Sequence, residues 1–463
     1  MAHLQAIQVG RYSIERLYEH LTPQDRSALV QQCRGSADRG PTVWHVNSTA
    51  AGGGVAEMIA PLVGYGREIG LDIRWLVIQA SPEFFEVTKR VDNGISGISG
   101  DGGALGEAEH KTYSNTSREA AAGLRDHVRS GDFVFLHDPQ TAGLVAEISR
   151  IGATPIWRAH NGADRPNEHT ERSWAFLHRY LTEVSAFAFT MPHFSPAWMT
   201  SRPLYTITPF IDPGSPKNAR MNAGHAADVL ADWGIVSGDQ QSKATRRATI
   251  VREGPAPKTS TPMLAQVSRW DPVKDMEGVL TAFAEHLVDD TEAYLSLIGP
   301  EVTGVADDPE AEEYFERCVS LYKKLPEPVR RRCQLVCLPM GDRTANAMAV
   351  NAAQTHAAVV AQKSVSEGFG LTVAEAMWKG TAVVASDVGG ISLQIEHDTS
   401  GVLVDWDDLQ QFARSVDSLL NDSASRQEMG SAARERVRNL FLPNKHFLSE
   451  LDLIDDLAKG HHL

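Results

Sequence analysis

The chain has 463 residues and a formal net charge of −15 at pH 7, and its length predicts two or more domains with an ample core. The acidic balance argues against nucleic acid or an anionic membrane as the main partner. No apolar run approaches the ~20 residues of a membrane helix, and the N-terminus lacks a basic start and a long apolar core, so we expect a soluble, cytoplasmic protein.

The first strong pattern is a Gly-rich turn between a predicted strand and a predicted helix. Residues 42–46 form an apolar strand, glycines occupy positions 52–54, and a helical pattern begins at Val55. Three consecutive glycines let the backbone approach a ligand without a Cβ clash. The spacing matches neither a dinucleotide fingerprint nor a P-loop, so the turn alone does not identify a ligand.

Two more predicted strands of the first half, over residues 133–136 and 156–157, run into polar residues. The polar residues are His137, Asp138, Arg158 and His160. Ligands of open parallel sheets bind beyond the carboxyl ends of the strands, so these side chains are candidates for a binding cleft. A single histidine in such a place is also a common packing residue, and both interpretations stay open for His137 and His160.

Other segments have the composition of loops, linkers or a terminal helix. Residues 94–106 are Gly-rich and are predicted to be flexible, either as a mobile lid or as a disordered surface loop. A helical period covers residues 226–233, and residues 237–261 are polar, as in a linker or mobile loop. A last amphipathic helix is predicted over residues 447–457.

The second half begins with a strand that leads into two basic residues. Residues 264–267 are apolar, and Arg269 and Lys274 follow them. The planar guanidinium and the compact ammonium can together neutralise a diphosphate. Such a pair is often plain surface charge, but its position after a strand favours a phosphate site.

Two carboxylates eight residues apart bracket a second Gly-rich turn. A predicted buried strand at residues 359–362 precedes Glu367, and Glu375 lies in the helical pattern that follows. The residues between them include Gly368, Phe369, Gly370 and Leu371. This turn exposes backbone N–H groups and a helix start, which can hold a phosphate or a sugar oxygen. For an isolated pair of glutamates, surface charge is the simpler interpretation.

The spacing of Glu367 and Glu375 resembles the Glu-x7-Glu motif of retaining glycosyltransferases of family 4, and Arg269 and Lys274 match the basic pair of that family. The likeness narrows, over most of residues 41–440, to the trehalose synthase (glycosyltransferring) branch. It is carried by the stretches VWHVNSTAAGGGVAEM, HDPQ, IDPGSPKN, VSRWDPVKD, QKSVSEGFGLTVAEAMWKG and VGGISLQI.

The resemblance implies an α/β protein of the GT-B fold, with two Rossmann-like doubly wound domains facing across a cleft. Residues 1–215 would form the acceptor-binding domain and residues 262–440 the nucleotide-sugar domain. Residues 216–261 would form a helix and polar linker, and residues 441–463 a C-terminal helix that packs back on the first domain.

The resemblance also implies roles for individual residues. Glu367 lies beside the donor sugar, and Glu375 hydrogen-bonds the nucleotide ribose. Arg269 and Lys274 hold the phosphates, and His160 contacts the donor sugar. The catalytic set is Glu367, Arg269, Lys274 and His160. The donor is further bound by Gly53, Gly54, Gly368, Phe369, Gly370 and Leu371. The acceptor is expected at Asp138, Asn47 and His137.

The implied activity is a retaining hexosyl transfer from a nucleotide sugar to a small sugar acceptor, which forms an α,α-1,1 bond. Retaining trehalose phosphorylases are similar as well and remain an alternative. The sequence after His160, Asn161 to Arg165, departs from the family pattern. This departure keeps open a related transferase that uses an amino-sugar donor or a nucleoside acceptor in a natural product. A non-catalytic sugar-binding protein is the remaining alternative.

No cofactor and no metal are expected. No Asp-x-Asp pair stands at a strand end near the phosphate residues, and the four cysteines lack zinc-site spacing. A monomer and a homodimer both stay open.

Overall fold

The computed structural model describes residues 2–37, 40–238, 246, 248–289, 291–302 and 309–460. The chain divides into two compact units. The first unit contains residues 1–212 and 441–463, and the second contains residues 213–440.

The first unit is built on a sheet of seven described strands. The strands are β1 (His3–Ala6), β2 (Val43–Asn47), β3 (Ile73–Gln79), β4 (Phe133–His137), β5 (Thr154–Ala159), β6 (Ala186–Phe189) and β7 (Leu204–Thr206). Their order is β1-β3-β2-β4-β5-β6-β7. β1 is antiparallel to β3, and the other neighbours are parallel. β2, β4 and β6 are buried along their whole length, as expected of parallel strands with helices on both faces.

Seven described α-helices precede residue 212 in this unit. They are α1 (Ile14–Tyr18), α2 (Pro23–Ala37), α3 (Gly54–Glu68), α4 (Pro82–Ile95), α5 (Glu107–Ala122), α6 (Val145–Ile151) and α7 (Glu168–His178). The strand order changes direction between β2 and β4. This is the switch point at which open α/β sheets bind ligands.

The second unit repeats this plan. Its described strands are β8 (Thr249–Arg252), β9 (Met263–Val267), β10 (Tyr294–Pro300), β11 (Cys333–Leu338), β12 (Val359–Gln362), β13 (Ala382–Ser386) and β14 (Val402–Val404). Their order is β14-β13-β12-β9-β10-β11-β8, and its direction changes between β9 and β12. Only β8 is antiparallel to its neighbour among these described strands.

The helices of the second unit connect and cover these strands. Those described are α8 (Ala223–Asp232), α9 (Met276–His286), α10 (Pro309–Lys324), α11 (Glu327–Arg330), α12 (Arg343–His356), α13 (Leu371–Lys379), α14 (Gly389–Gln394), α15 (Leu409–Asn421) and α16 (Ser423–Leu440). The last helix of the chain, α17 (Pro443–Ala458), belongs to the first unit. No helix among the described residues is long and apolar enough to cross a membrane.

Two sequence expectations need correction. The polar linker predicted at residues 237–261 contains β8, which pairs with β11 as an edge strand of the second sheet. Its four residues are at most half-buried, so they carry only a weak strand pattern. Residues 239–245 and 247 of the predicted linker lie outside the described residues. Arg158 lies inside β5 and is buried, whereas the sequence suggested that it follows the strand.

The Gly-rich segment at residues 94–106 is tied to its neighbours by hydrogen bonds. The Arg90 guanidinium donates to the Asp101 carboxylate at 2.7 Å and to the Ala104 carbonyl at 2.6 Å. The Asn167 side chain donates to the Gly97 carbonyl at 2.8 Å. These contacts show a structured loop, whereas the composition predicted a flexible segment.

Candidate active site

In the second unit, two loops that leave neighbouring strands meet at the switch point of the sheet. β9 and β12 pair in parallel. Lys274 lies in the loop after β9, and Glu367 lies in the loop after β12. The Lys274 ammonium is 2.5 Å from Glu367 Oε2, and their side chains are 16% and 11% exposed. Ser364 Oγ donates to the same carboxylate oxygen at 3.0 Å. The structure therefore brings together two residues from motifs 93 positions apart.

Arg269 lies nearer the solvent. Its guanidinium donates to Asp271 Oδ2 at 3.0 Å, and its side chain is 62% exposed. Asp271 also accepts from the backbone N–H of Val273 at 3.0 Å, so it fixes the turn that carries Lys274. The loop after β9 thus presents one half-buried cation and one exposed cation.

The loop after β12 is shaped by glycines. Gly370 has φ of +83° and stands directly before α13, a conformation that L side chains rarely adopt. Gly389 has φ of +49°, and a Cβ on it would lie 1.7 Å from the Glu367 carbonyl oxygen. The Gly390 N–H donates to the Gly368 carbonyl at 3.2 Å. The start of α14 can therefore pack against the backbone of the Glu367 loop.

Glu375 is buried within α13, at 2% exposure. The ammonium of Lys217 lies 3.5 Å from Glu375 Oε1. Lys379 donates to Asn218 Oδ1 and to the Glu375 carbonyl, each at 3.1 Å. Burial lowers the pKa of Lys379, and the negative charge of Glu375 opposes that shift. A buried carboxylate beside two lysines is not an ordinary surface charge.

Lys363 is a further buried cation that sequence reasoning missed. Its side chain is 2% exposed and pairs with the Asp275 carboxylate. It also donates to the Trp406 carbonyl at 2.5 Å. Asp275 accepts from the Gly278 N–H at 3.0 Å and so caps α9. This pair links the loop after β9 to the residue that directly follows β12. In the sequence, only the position of Lys363 directly after the predicted strand indicated that it belongs to the site.

In the first unit, the turn after β2 exposes backbone. Gly52 and Gly53 have φ of +78° and +111°, and nothing lies within 4 Å of a Cβ added to either. Both are exposed, as is Gly54 at the first position of α3. Asn47 is 3% exposed, donates to the Thr49 carbonyl at 2.7 Å and accepts from Trp75 at 2.8 Å. Its amide supports this turn.

Three histidines form a continuous hydrogen-bonded chain. His45 lies in the middle of β2, His137 is the last residue of β4, and His160 directly follows β5. His45 Nδ1 is 3.0 Å from His137 Nε2, and His137 Nδ1 is 2.9 Å from His160 Nε2. They are 0%, 2% and 7% exposed. His45 pairs with Phe135 in the sheet register and His137 pairs with Arg158. His137 is two residues beyond Phe135, and His160 is two residues beyond Arg158. Because side chains alternate between faces, all three lie on one face of the sheet.

The histidine chain, His45, His137 and His160, ends at a buried carboxylate cluster formed by Glu450, Arg158 and His446. His45 Nε2 lies 3.7 Å from Glu450 Oε2. Glu450 Oε1 is 3.2 Å from the Arg158 guanidinium and 3.1 Å from His446 Nε2. Burial alone would raise the pKa of Glu450, but its neighbours His45, His446 and Arg158 outweigh burial and bring the pKa to about 2. Glu450 and His446 are contributed by α17 and carried no recognisable sequence signal.

Burial keeps the histidine chain neutral. It lowers the pKa of His45 to about 4 and that of His137 and His160 well below the usual value. Both ring nitrogens of His137 face other histidines, so in the structure this residue contacts protein groups where the sequence suggested an acceptor sugar. His160 Nδ1 is buried and has no hydrogen-bond partner among the described residues.

Asp138 follows β4 in a strained conformation, with φ of 62° and ψ of 178°, which is uncommon outside glycine and clusters at functional sites. Its Oδ1 accepts from the His160 N–H at 2.9 Å, and its carbonyl accepts from Trp157 Nε1 at 3.1 Å. Burial, followed by the nearby charge of Asp92, raises the pKa of this carboxyl group. Asp138 and His160 are therefore brought together, as the sequence suggested.

The loop after His160, where the sequence departs from the family pattern, is anchored locally. Asn161 donates to the two Asp92 carboxylate oxygens at 3.2 and 3.3 Å. Asp164 lies 2.9 Å from His193. Across the part of the chain that the structure describes, no three His, Cys, Asp or Glu side chains are grouped to hold a metal ion.

Comparison with known proteins agrees with this architecture. A model described as trehalose synthase, N-terminal domain, matches residues 45–196, and one described as glycosyl transferases group 1 matches residues 344–436. A solved α,α-trehalose-phosphate synthase (UDP-forming) from Burkholderia xenovorans, in complex with glucose-6-phosphate, superposes with a TM-score of 0.66. The match covers 90% of this chain and 100% of that chain at 13% identity, and it confirms the expected GT-B fold.

Two curated relatives differ in how far the likeness extends. A trehalose phosphorylase from Pleurotus pulmonarius is 26% identical over 84% of this chain but only 54% of its own length. A trehalose synthase from Rubrobacter xylanophilus is 33% identical over 98% of this chain and 99% of its own length. The chain therefore belongs to the trehalose synthase family and is a retaining, trehalose-type glycosyltransferase with the GT-B fold.

Proposed function

We propose that the protein transfers a glucosyl-type group from a nucleoside diphosphate donor to a free sugar, with retention, and forms an α,α-1,1 bond. The observation that carries this proposal is the contact between Lys274 and Glu367 at the switch point of the second sheet. A cation and a carboxylate placed together there suit a reaction in which a diphosphate leaves and positive charge develops on a sugar.

Lys274 and Arg269 would stabilise the leaving diphosphate. Negative charge grows on the phosphate oxygens as the glycosidic bond breaks, so fixed cations lower the barrier more than they stabilise the bound substrate. Arg269 lies exposed in the same loop as Lys274. The backbone N–H groups at the start of α13, after Gly370, add donors and a positive partial charge.

The two glutamates would serve different parts of the donor. Glu367 lies in a loop with its carboxylate partly exposed, and its charge can stabilise positive character at the anomeric carbon. Glu375 is buried one helical turn into α13. A carboxylate held there can accept hydrogen bonds from two ribose hydroxyls.

In the first unit, Asp138 and His160 would contact sugars. Asp138 is half-buried and hydrogen-bonded to the backbone of His160, so this hydrogen bond fixes the Asp138 carboxylate beside His160. We assign His160 to the donor sugar and Asp138 to the acceptor. Neither the phosphate residues nor this pair requires a metal ion, so we propose metal-independent turnover, which EDTA would leave unchanged.

The test is a matrix of UDP-, ADP- and GDP-sugars against free sugars, with the linkage of each product read by NMR. The expected product is an α,α-1,1 disaccharide from a nucleoside diphosphate glucose and glucose. Turnover of trehalose with inorganic phosphate alone would identify a phosphorylase. Product only with an amino-sugar donor or a nucleoside acceptor would identify a natural-product enzyme. Absence of nucleotide-sugar binding by calorimetry would contradict any transferase.

A further inference from the structure

The histidine chain has only two self-consistent proton arrangements. A neutral imidazole carries one proton, and each contact between two ring nitrogens needs one N–H and one lone pair. Either all three rings are protonated on Nε2, or all three are protonated on Nδ1. Any mixture would leave two protons or two lone pairs facing each other across 2.9–3.0 Å in a buried site.

Glu450 selects between these two arrangements. Its ionised carboxylate is 3.7 Å from His45 Nε2, and in a buried site a negative charge favours an N–H over a lone pair facing it. With the proton of His45 on Nε2, His45 Nδ1 accepts from His137, and His137 Nδ1 accepts from His160. His160 is left with its proton on Nε2 and a lone pair on Nδ1.

The two outer nitrogens of the histidine chain, His45 Nε2 and His160 Nδ1, are buried and have no hydrogen-bond partner among the residues that the structure describes. Of these two nitrogens, only His45 Nε2 faces a carboxylate of the described residues, at 3.7 Å, so the charge of Glu450 decides between the two arrangements. The lone pair that is left on His160 Nδ1 awaits a donor that the described part of the protein does not supply.

We propose that Glu450 sets the tautomer of His160 through the two histidines between them. His160 then presents its Nδ1 lone pair to a hydroxyl group of the donor sugar, an assignment that rests on the function proposed above. His45, His137 and Glu450 are positioning residues in this scheme. His160 recognises the proton of a hydroxyl group and does not act as an acid.

The tautomers can be read directly by 15N NMR of the full chain labelled on its histidine rings, without substrate. We expect a protonated Nε2 and an unprotonated Nδ1 for all three histidines. In Glu450→Gln, the Arg158 guanidinium can only donate, so it holds the amide oxygen and turns the amide NH₂ towards His45 Nε2. The tautomers should then invert. Protonated Nδ1 on His160 in the wild type, or unchanged tautomers in Glu450→Gln, would overturn the proposal.

A second variant covers the case in which Glu450→Gln does not fold. His45→Phe keeps an aromatic ring against Phe135, which His45 contacts at a centroid distance of 5.1 Å, but it disconnects Glu450 from His137. The His160 nitrogens should then show averaged or doubled resonances. A single, unchanged Nε2–H tautomer in this variant would overturn the role of Glu450.

His110 provides a matched control in the same unit. It is buried, stacks on Phe176 at 4.1 Å, and contacts the Tyr180 hydroxyl at 3.0 Å. His110→Phe should leave the tautomers of the histidine chain and the transferase activity unchanged. A change of the His160 tautomer in this variant would show that general packing, not the Glu450 path, sets the proton.

The proposed contact between His160 and the donor sugar is tested by a separate measurement. On saturation with UDP-, ADP- or GDP-glucose, whichever is turned over, the Nδ1 resonance of His160 should shift as its lone pair accepts a hydrogen bond. An unmoved Nδ1 resonance in a saturated, active enzyme would overturn the assignment to the donor sugar. Because the tautomers are read in the free protein, failure of the proposed function is distinguishable from failure of the Glu450 path.

Discussion

Lys274 and Glu367 share a hydrogen bond of 2.5 Å across the switch point of the second sheet. The ammonium can donate three hydrogen bonds, so it can hold this carboxylate and a phosphate oxygen together. In the proposed function, this geometry couples the group that would contact the leaving phosphate to the group that would face the sugar.

Replacing the cations should lower the rate. Lys274→Ala should reduce kcat by about 100-fold to 1,000-fold, because it removes a fixed charge from the place where negative charge develops. Arg269→Ala should act in the same direction. Steady-state kinetics and thermal unfolding of both variants test this. Arg317→Ala is a matched control, since Arg317 is 55% exposed and paired with Glu277, and its kcat should not change. Near-normal turnover of both test variants would remove these cations from the site.

Glu367→Gln should mainly lower the saturated rate. The substitution keeps the shape of the side chain but removes the charge that stabilises a positive anomeric carbon. Nucleotide affinity, measured by calorimetry, should stay close to the wild-type value. A wild-type saturated rate would contradict the proposed role.

Glu375→Gln should mainly weaken nucleotide binding. An amide accepts hydrogen bonds less well than a carboxylate, and loss of such bonds should raise the Kd about 10-fold to 100-fold. The buried charge of Lys379 also loses its neighbour, so thermal stability should fall. Calorimetric titration with the nucleoside diphosphate checks the first effect, and an unchanged Kd would contradict it.

Mild acid should destabilise the first unit. The pKa of His45 is lowered to about 4 by burial, and those of His137 and His160 are lowered as well. Below the usual histidine pKa of about 6.5, the unfolded chain therefore binds protons that the folded chain does not. As the pH is lowered through this range, the free energy of unfolding should decrease by up to about 1.4 kcal/mol per pH unit for each histidine. Denaturant titrations from pH 7.5 to 5 test this, with a shallower slope expected for His45→Phe. A free energy independent of pH in this window would contradict the neutral state.

Gly389→Ala should damage both folding and catalysis. The new Cβ would lie 1.7 Å from the Glu367 carbonyl oxygen, so the loop that carries Glu367 must move. Overpacking of this kind costs about 1–3 kcal/mol, and kcat should fall with the displaced carboxylate. Gly341→Ala is the control, because nothing lies within 4 Å of its added Cβ. Equal stability and kcat in the two variants would contradict this account.

The second-unit site was largely predictable from sequence because its parts are local. β12, the Gly-rich turn and α13 follow one another directly, so apolar pattern and glycine spacing predict Glu367 in the turn and Glu375 in the helix, where the structure has them. The two basic residues follow β9, which is also recognisable. β8 was missed because a short edge strand, at most half-buried, carries little hydrophobic alternation.

The carboxylate cluster could not be predicted, because its members are far apart in the chain. Arg158 and Glu450 are 292 positions apart, and neither lies in a recognisable motif. Arg158 resembled a polar residue after a strand because charged residues are rarely buried without a partner. Its partner lies in α17, which showed only an amphipathic period.

The return of the chain to the first unit at residue 441 has a consequence for biosynthesis. A ribosome makes the first sheet early, yet Arg158 and the histidines remain without Glu450 until the chain has been synthesised through residue 450. The nascent first unit must hold a buried cation without its counterion, which is costly. Completion of that unit is thus delayed until the intervening unit has been synthesised, and a chain cut short at residue 440 would expose this defect to proteases.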